Sequence, residues 1–172
     1  MNTEPNEPEF AAAFEKLKSR VAARYQLVFN EAVLDYAKKE YRTLRASKPA
    51  RTPDEAVIAA VTAFPESKEG NAYCEMLVQL FIDRYNVFVE KRLRWASNEG
   101  LVPDQYLKFI QSMIAVKRME WIAENPLGFD LGNPRAATPE TVAEQARAQA
   151  FIDVDTNLGS ISAALGGNGD TK

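Results

Sequence analysis

Between residues 72 and 96 the chain carries one narrow polar stripe and is apolar over most of the remaining circumference. At about 100° per residue, Glu75, Gln79, Asp83, Asn86, Glu90 and Arg94 share that stripe. Leu77, Leu80, Phe81, Tyr85, Phe88, Val89 and Trp95 lie off it, and no Pro or Gly interrupts the run. A surface helix shows a narrower apolar stripe than this. The pattern therefore predicts a central helix over 71–97, enclosed by other helices, with Gly100 as its left-handed stop.

The flanking sequence supplies candidates for that enclosure. Phe10, Phe14, Leu17, Val21, Tyr25, Val28 and Ala32 follow steps of three and four, which predicts one long first helix over 9–47. Pro49 ends it, because the residue before a proline avoids helical geometry. Thr52-Pro53-Asp54-Glu55 reads as a helix start: a capping hydroxyl, a proline suited to the first position, and acids at the positive dipole end. The short helix that follows, 53–64, is rich in alanine. A fourth helix is expected over 103–124, with Leu107, Ile110, Ile114 and Trp121 on one row.

Residues 126–137 hold two prolines and two glycines and read as an irregular linker. Thr138-Pro139-Glu140 opens a C-terminal helical arm over 138–165. The expected organisation is all-α: a four-helix bundle-like domain over 9–125 with a long first helix and a central buried helix. An acidic disordered stretch (1–8), the linker, the arm and a flexible tail (166–172) complete it.

Charge changes this picture locally. The 172 residues sum to −3. Residues 15–51, however, carry ten Lys/Arg against four acids. Lys38, Arg42, Arg45 and Arg51 gather at the end of the first helix and form a candidate phosphate-binding patch. The alternative reading is that cations simply favour a helix C-terminus. Arg84 sits within the apolar arc of the central helix, so it is read as a buried charge paired with Asp35, Glu31 or Glu120, or as a snorkelling side chain, the functional alternative being an anion or partner contact.

Composition excludes several chemistries. With no histidine and one cysteine, Cys74, the chain can form neither a His-dependent nucleophile system nor a Cys/His zinc site. Neither the P-loop pattern nor the dinucleotide glycine fingerprint occurs. No catalytic residue, cofactor or metal is expected. Asp153, Asp155 and Asn157 look like the opening of a calcium loop, but Leu158 stands where that loop needs glycine. They are read instead as a break in the Ala-rich C-terminal helix.

Phe151, Val154, Leu158, Ile161 and Leu165 form the apolar row of the arm and are the candidate partner-binding residues. That row serves equally for docking on its own bundle or on a neighbour. The N-terminus lacks the basic start and apolar run of a signal peptide, and no segment approaches the ~20 apolar residues of a membrane span. The functional expectation is a soluble, non-enzymatic structural or assembly protein, cytoplasmic or in a virion. It would form homo-oligomers or bind another protein through helix faces, as in a phage particle or its assembly apparatus. The alternative is a nucleic-acid-associated packaging or regulatory factor using the basic patch.

Overall fold

The computed structural model describes residues 7–21, 30–127 and 137–166. Among them the fold is all-α and bundle-like, with six helices and no strand. They are α1 (Glu7–Arg20), α2 (Glu31–Ala46), α3 (Pro53–Ala63), α4 (Lys68–Asn98), α5 (Leu107–Glu124) and α6 (Pro139–Gly166). Single 3-10 turns lie at Phe64–Glu66 and Asp104–Tyr106. No described helix is long and apolar enough to cross a membrane.

The chain divides into two compact units, and α4 contributes to both. The first holds residues 1–76 and 128–138; the second holds 77–127 and 139–172. Most of the expected acidic stretch, of the linker and of the tail lies outside the described residues, but Glu7 and Pro8, expected to be disordered, form the start of α1, and Gly166 ends α6.

In the first unit, α3 packs against α1 and α2. Its start is built as the sequence predicts. The Thr52 hydroxyl accepts from the Glu55 amide, while the Glu55 carboxylate accepts from the Thr52 amide at 2.9 Å. The Thr52 amide and, at 2.8 Å, the Thr52 hydroxyl both donate to the Glu55 carboxylate, which holds it below its usual range. Fully buried Ala56 and Ala60 let α3 come close to its neighbours. Phe10, Phe14, Val33, Tyr41, Val57 and Phe64 fill the space between them. Aromatic edges meet faces at 5.3 Å in both the Phe10–Tyr41 and Tyr36–Phe64 pairs.

The first helix differs from expectation. Residues 9–47 form two helices, because Asn30 has extended backbone geometry (ψ 177°) and starts α2 afresh as its cap. The Asn30 side-chain oxygen accepts from the Ala32 and Val33 amides at 3.1 and 3.4 Å. Its amide nitrogen donates to the Tyr73 hydroxyl at 3.0 Å, tying the start of α2 to the start of α4. Tyr25 and Val28, which carried the row across this point, lie outside the described residues.

Gly70 marks the tightest approach in this unit. A Cβ there would fall on the Phe64 carbonyl oxygen and come within 3.2 Å of the Pro65 carbonyl carbon. Backbone cannot rotate aside as a side chain can. Gly70→Ala is therefore expected to cost about 3 kcal/mol. Gly159→Ala, whose Cβ meets nothing within 4 Å, should instead stabilise α6 by about 0.5–1 kcal/mol. Thermal melts of the two variants compare these signs directly.

In the second unit the buried arc of α4 comprises Leu77, Phe81, Tyr85, Val89, Leu93 and Ala96. Ile110 and Ile114 face inward from α5, and Val142, Ala146, Ala150 and Val154 from α6. The Phe81 and Trp121 rings stack at 4.3 Å, nearly parallel. Gly100 stops α4 with φ +67°, the left-handed geometry expected of it. α6 runs unbroken through Asp153, Asp155 and Asn157, so the expected break is corrected. These side chains find partners while the backbone stays helical.

Candidate functional site

The four cations at the end of α2 were expected to form one open patch. Arg42 and Arg45 are instead shared with acids of α1. Arg42 Nη2 lies 3.8 Å from Glu7, and Arg45 Nη2 lies 3.4 Å from Glu9. Arg45 Nη1 also donates to the Arg51 backbone carbonyl at 2.6 Å, which turns the guanidinium into a clasp for the turn that follows. Lys38 and Arg51 are exposed. Half of the anticipated positive charge is thus opposed locally, which favours the structural role of these residues.

Arg84 corrects the expectation of a buried charge: it is exposed. The arc that α4 buries is centred on Phe81, Tyr85 and Val89. One residue step turns a helix by about 100°, so Arg84 falls outside that arc and reaches water without a buried carboxylate.

The C-terminal row divides along its length. Val154 is fully buried and Leu158 is 9% exposed, both within the second unit. Phe151 and Ile161 are half-buried, and Leu165 is exposed. Val154 and Leu158 therefore serve the core of their own unit and are unavailable to a partner.

Two features were not anticipated. The first is a polar node inside the second unit. The Tyr85 hydroxyl donates to Asp153 Oδ2 at 2.5 Å and lies 3.3 Å from the Ile114 carbonyl. Gln149 donates to Asp153 Oδ1 at 2.8 Å, and Asn157 donates to the Asp153 backbone carbonyl at 2.7 Å. Burial, reinforced by the hydrogen bond to Asp153 and its charge, pushes the Tyr85 phenol well above its ordinary value; Arg118 opposes the shift. Such a group donates a proton in a hydrogen bond and does not release it near neutrality. A sequence signal did exist: Asp153 and Asn157, four residues apart, interrupt an otherwise apolar or alanine-rich helix face.

The second feature is the outer face of α5. Ile110 and Ile114 point into the core, yet Phe109, Val116 and Met119 are 59, 57 and 56% exposed. Residues 109, 116 and 123 recur every seven positions, so Phe109, Val116 and Ala123 form a seam about 21 Å long at 1.5 Å per residue. Met113 and Met119 flank it. Surface helices normally place polar residues on such a face.

Among the described residues no group of three or more His, Cys, Asp or Glu side chains is arranged to hold a metal ion. Comparison of the chain with protein-family models, with curated proteins and with solved structures finds no match.

Proposed function

We propose that this is a non-enzymatic structural protein that assembles with copies of itself through the outer face of α5. The observation that carries the reading is the exposed row Phe109, Val116 and Met119. Three large apolar side chains more than half exposed on one helix face mark a contact surface. The seam suits a second copy. Antiparallel pairing about Val116 sets that residue against itself and each Phe109 against the small Ala123 of the other chain. A two-fold contact of this kind is the commonest closed form of oligomer. Repeated units joined in this way would serve a particle or the machinery that builds one.

Light scattering on a sizing column tests the reading. The wild type should elute as a multiple of 19.2 kDa. Val116→Glu combined with Met119→Glu should return the mass to a single chain with the circular dichroism unchanged. A wild type that stays at 19.2 kDa up to high concentration would overturn it.

A further inference from the structure

We propose that the face shared by α4 and α6 in the second unit binds single-stranded nucleic acid, using Lys91, Arg147 and Arg84 for phosphates and Trp95 for a base. Four cations and three aromatic rings interleave on this face. The Arg92 guanidinium lies 3.9 Å from the Trp95 ring centre and 5.4 Å from that of Phe151. Arg147 lies 5.8 Å from Phe88 and 5.9 Å from Phe151, and Lys91 lies 5.8 Å from Phe88. The Phe88 and Phe151 rings are 6.3 Å apart, which makes the group continuous across the two helices. Arg84 is exposed one turn before Phe88 on α4.

Part of this cluster belongs to the fold itself. Arg92 grips Asp155 through Nε at 3.0 Å and Nη2 at 2.9 Å, so its charge is already used to join α4 to α6. Lys91, Arg147 and Arg84 are different. All three are exposed, and none forms an ion pair with a carboxylate among the described residues. Asp155 is the acid held within the cluster, and Arg92 balances it. The four cations exceed Asp155 by three charges in a chain whose total is −3, with Glu144 one turn before Arg147 and Glu99 one turn after Trp95 as exposed acids beside them; that excess fits a polyanion.

The rings narrow the choice of polyanion. Trp95 is 41% exposed, with Arg92 over one face of the indole; a base would stack on the other. Alternating cations and stacking platforms are how sequence-tolerant sites hold unpaired strands. A duplex keeps its base faces stacked away, and an acidic peptide gains nothing from an indole platform.

Fluorescence anisotropy of a labelled twelve-nucleotide oligo-dT tests the site on the full chain. Affinity should fall with salt at a log–log slope near −2, as expected for about three phosphate contacts on a single strand. Lys91→Glu with Arg147→Glu should weaken binding by about tenfold or more and flatten that slope. Trp95→Ala should weaken it by about fivefold or more at unchanged helicity. Arg42→Glu with Arg45→Glu should leave it unchanged. The charge-removing pair Lys91→Ala and Arg147→Ala should weaken binding in the same direction but less, with the circular dichroism unchanged. Absence of binding at low salt, indifference to either α4–α6 variant, or equal competition by duplex DNA or poly-glutamate would each overturn the proposal.

Discussion

A chain ending after Thr138 is expected to lose the native packing of residues 77–127, and not only α6. The reason lies in what α6 buries. Val142, Ala146, Ala150 and Val154 are fully buried, and Leu158 nearly so. They close a core whose other sides are Leu77, Phe81 and Tyr85 from α4 and Ile110 and Ile114 from α5. Exposing a large apolar side chain costs about 1.5–3 kcal/mol. Losing a few such burials is comparable to the roughly 5–15 kcal/mol by which a domain is stable. Both tryptophans report on this unit alone, since Trp95 and Trp121 belong to residues 77–127. Trp121 is stacked on Phe81 at 4.3 Å, so truncation should shift its emission to the red. A point change makes the same argument without shortening the chain. Val154→Asp places a carboxylate at a fully buried position, and should cost about 4 kcal/mol or more. Native tryptophan emission and a cooperative melt in the truncated chain would show that α6 is a dispensable arm after all.

That result bears on what sequence reasoning can reach. Features decided within one turn of chain were legible. The Thr52 cap, the Gly100 stop and the Pro139 start each depend on neighbours a few residues away, and each is present. Asn30 was missed for the complementary reason. Steps of three and four continue across it, so periodicity alone joined α1 to α2. The cap depends on its side chain choosing the Ala32 and Val33 amides, and on a bond to Tyr73 forty-three positions away. Arg84 was misplaced because α4 is apolar on so many sides that the pattern does not say which arc faces inward. The packing of α5 and α6 decides it. The same ambiguity hid the cation–aromatic cluster, whose halves lie on α4 and α6 and meet through Phe88–Phe151, Arg92–Phe151, Arg147–Phe88 and Arg92–Asp155.

The Tyr85–Asp153 node should dominate the chemistry of stability in the second unit. Asp153 is 7% exposed and Tyr85 is 1% exposed, so neither can exchange its partner for water. Asp153→Ala removes the acceptor of the Tyr85 hydroxyl and of Gln149 together, and should cost about 3 kcal/mol. Tyr85→Phe leaves the carboxylate with Gln149 alone and should cost about 2 kcal/mol. Because both variants disrupt one bond, the double variant should lose less than the two single losses combined, with a coupling above about 1 kcal/mol. Additive losses would mean that the 2.5 Å contact contributes nothing of its own. The pH dependence follows from the same geometry. The folded phenol is raised above its unfolded value of 10.0, so the folded state holds this proton more tightly. The contribution is complete below pH 10 and is lost as pH rises through the folded value, at about 1.4 kcal/mol per pH unit once the unfolded phenol has ionised. Urea unfolding followed by tryptophan emission between pH 9 and 11.5 should therefore show wild-type stability falling more steeply than that of Tyr85→Phe. Tyr36, also raised by burial, adds a loss of the same sign in both proteins, so the difference between the two curves isolates Tyr85. Parallel curves would mean that the phenol meets water in the native state, and the buried node would have to be given up.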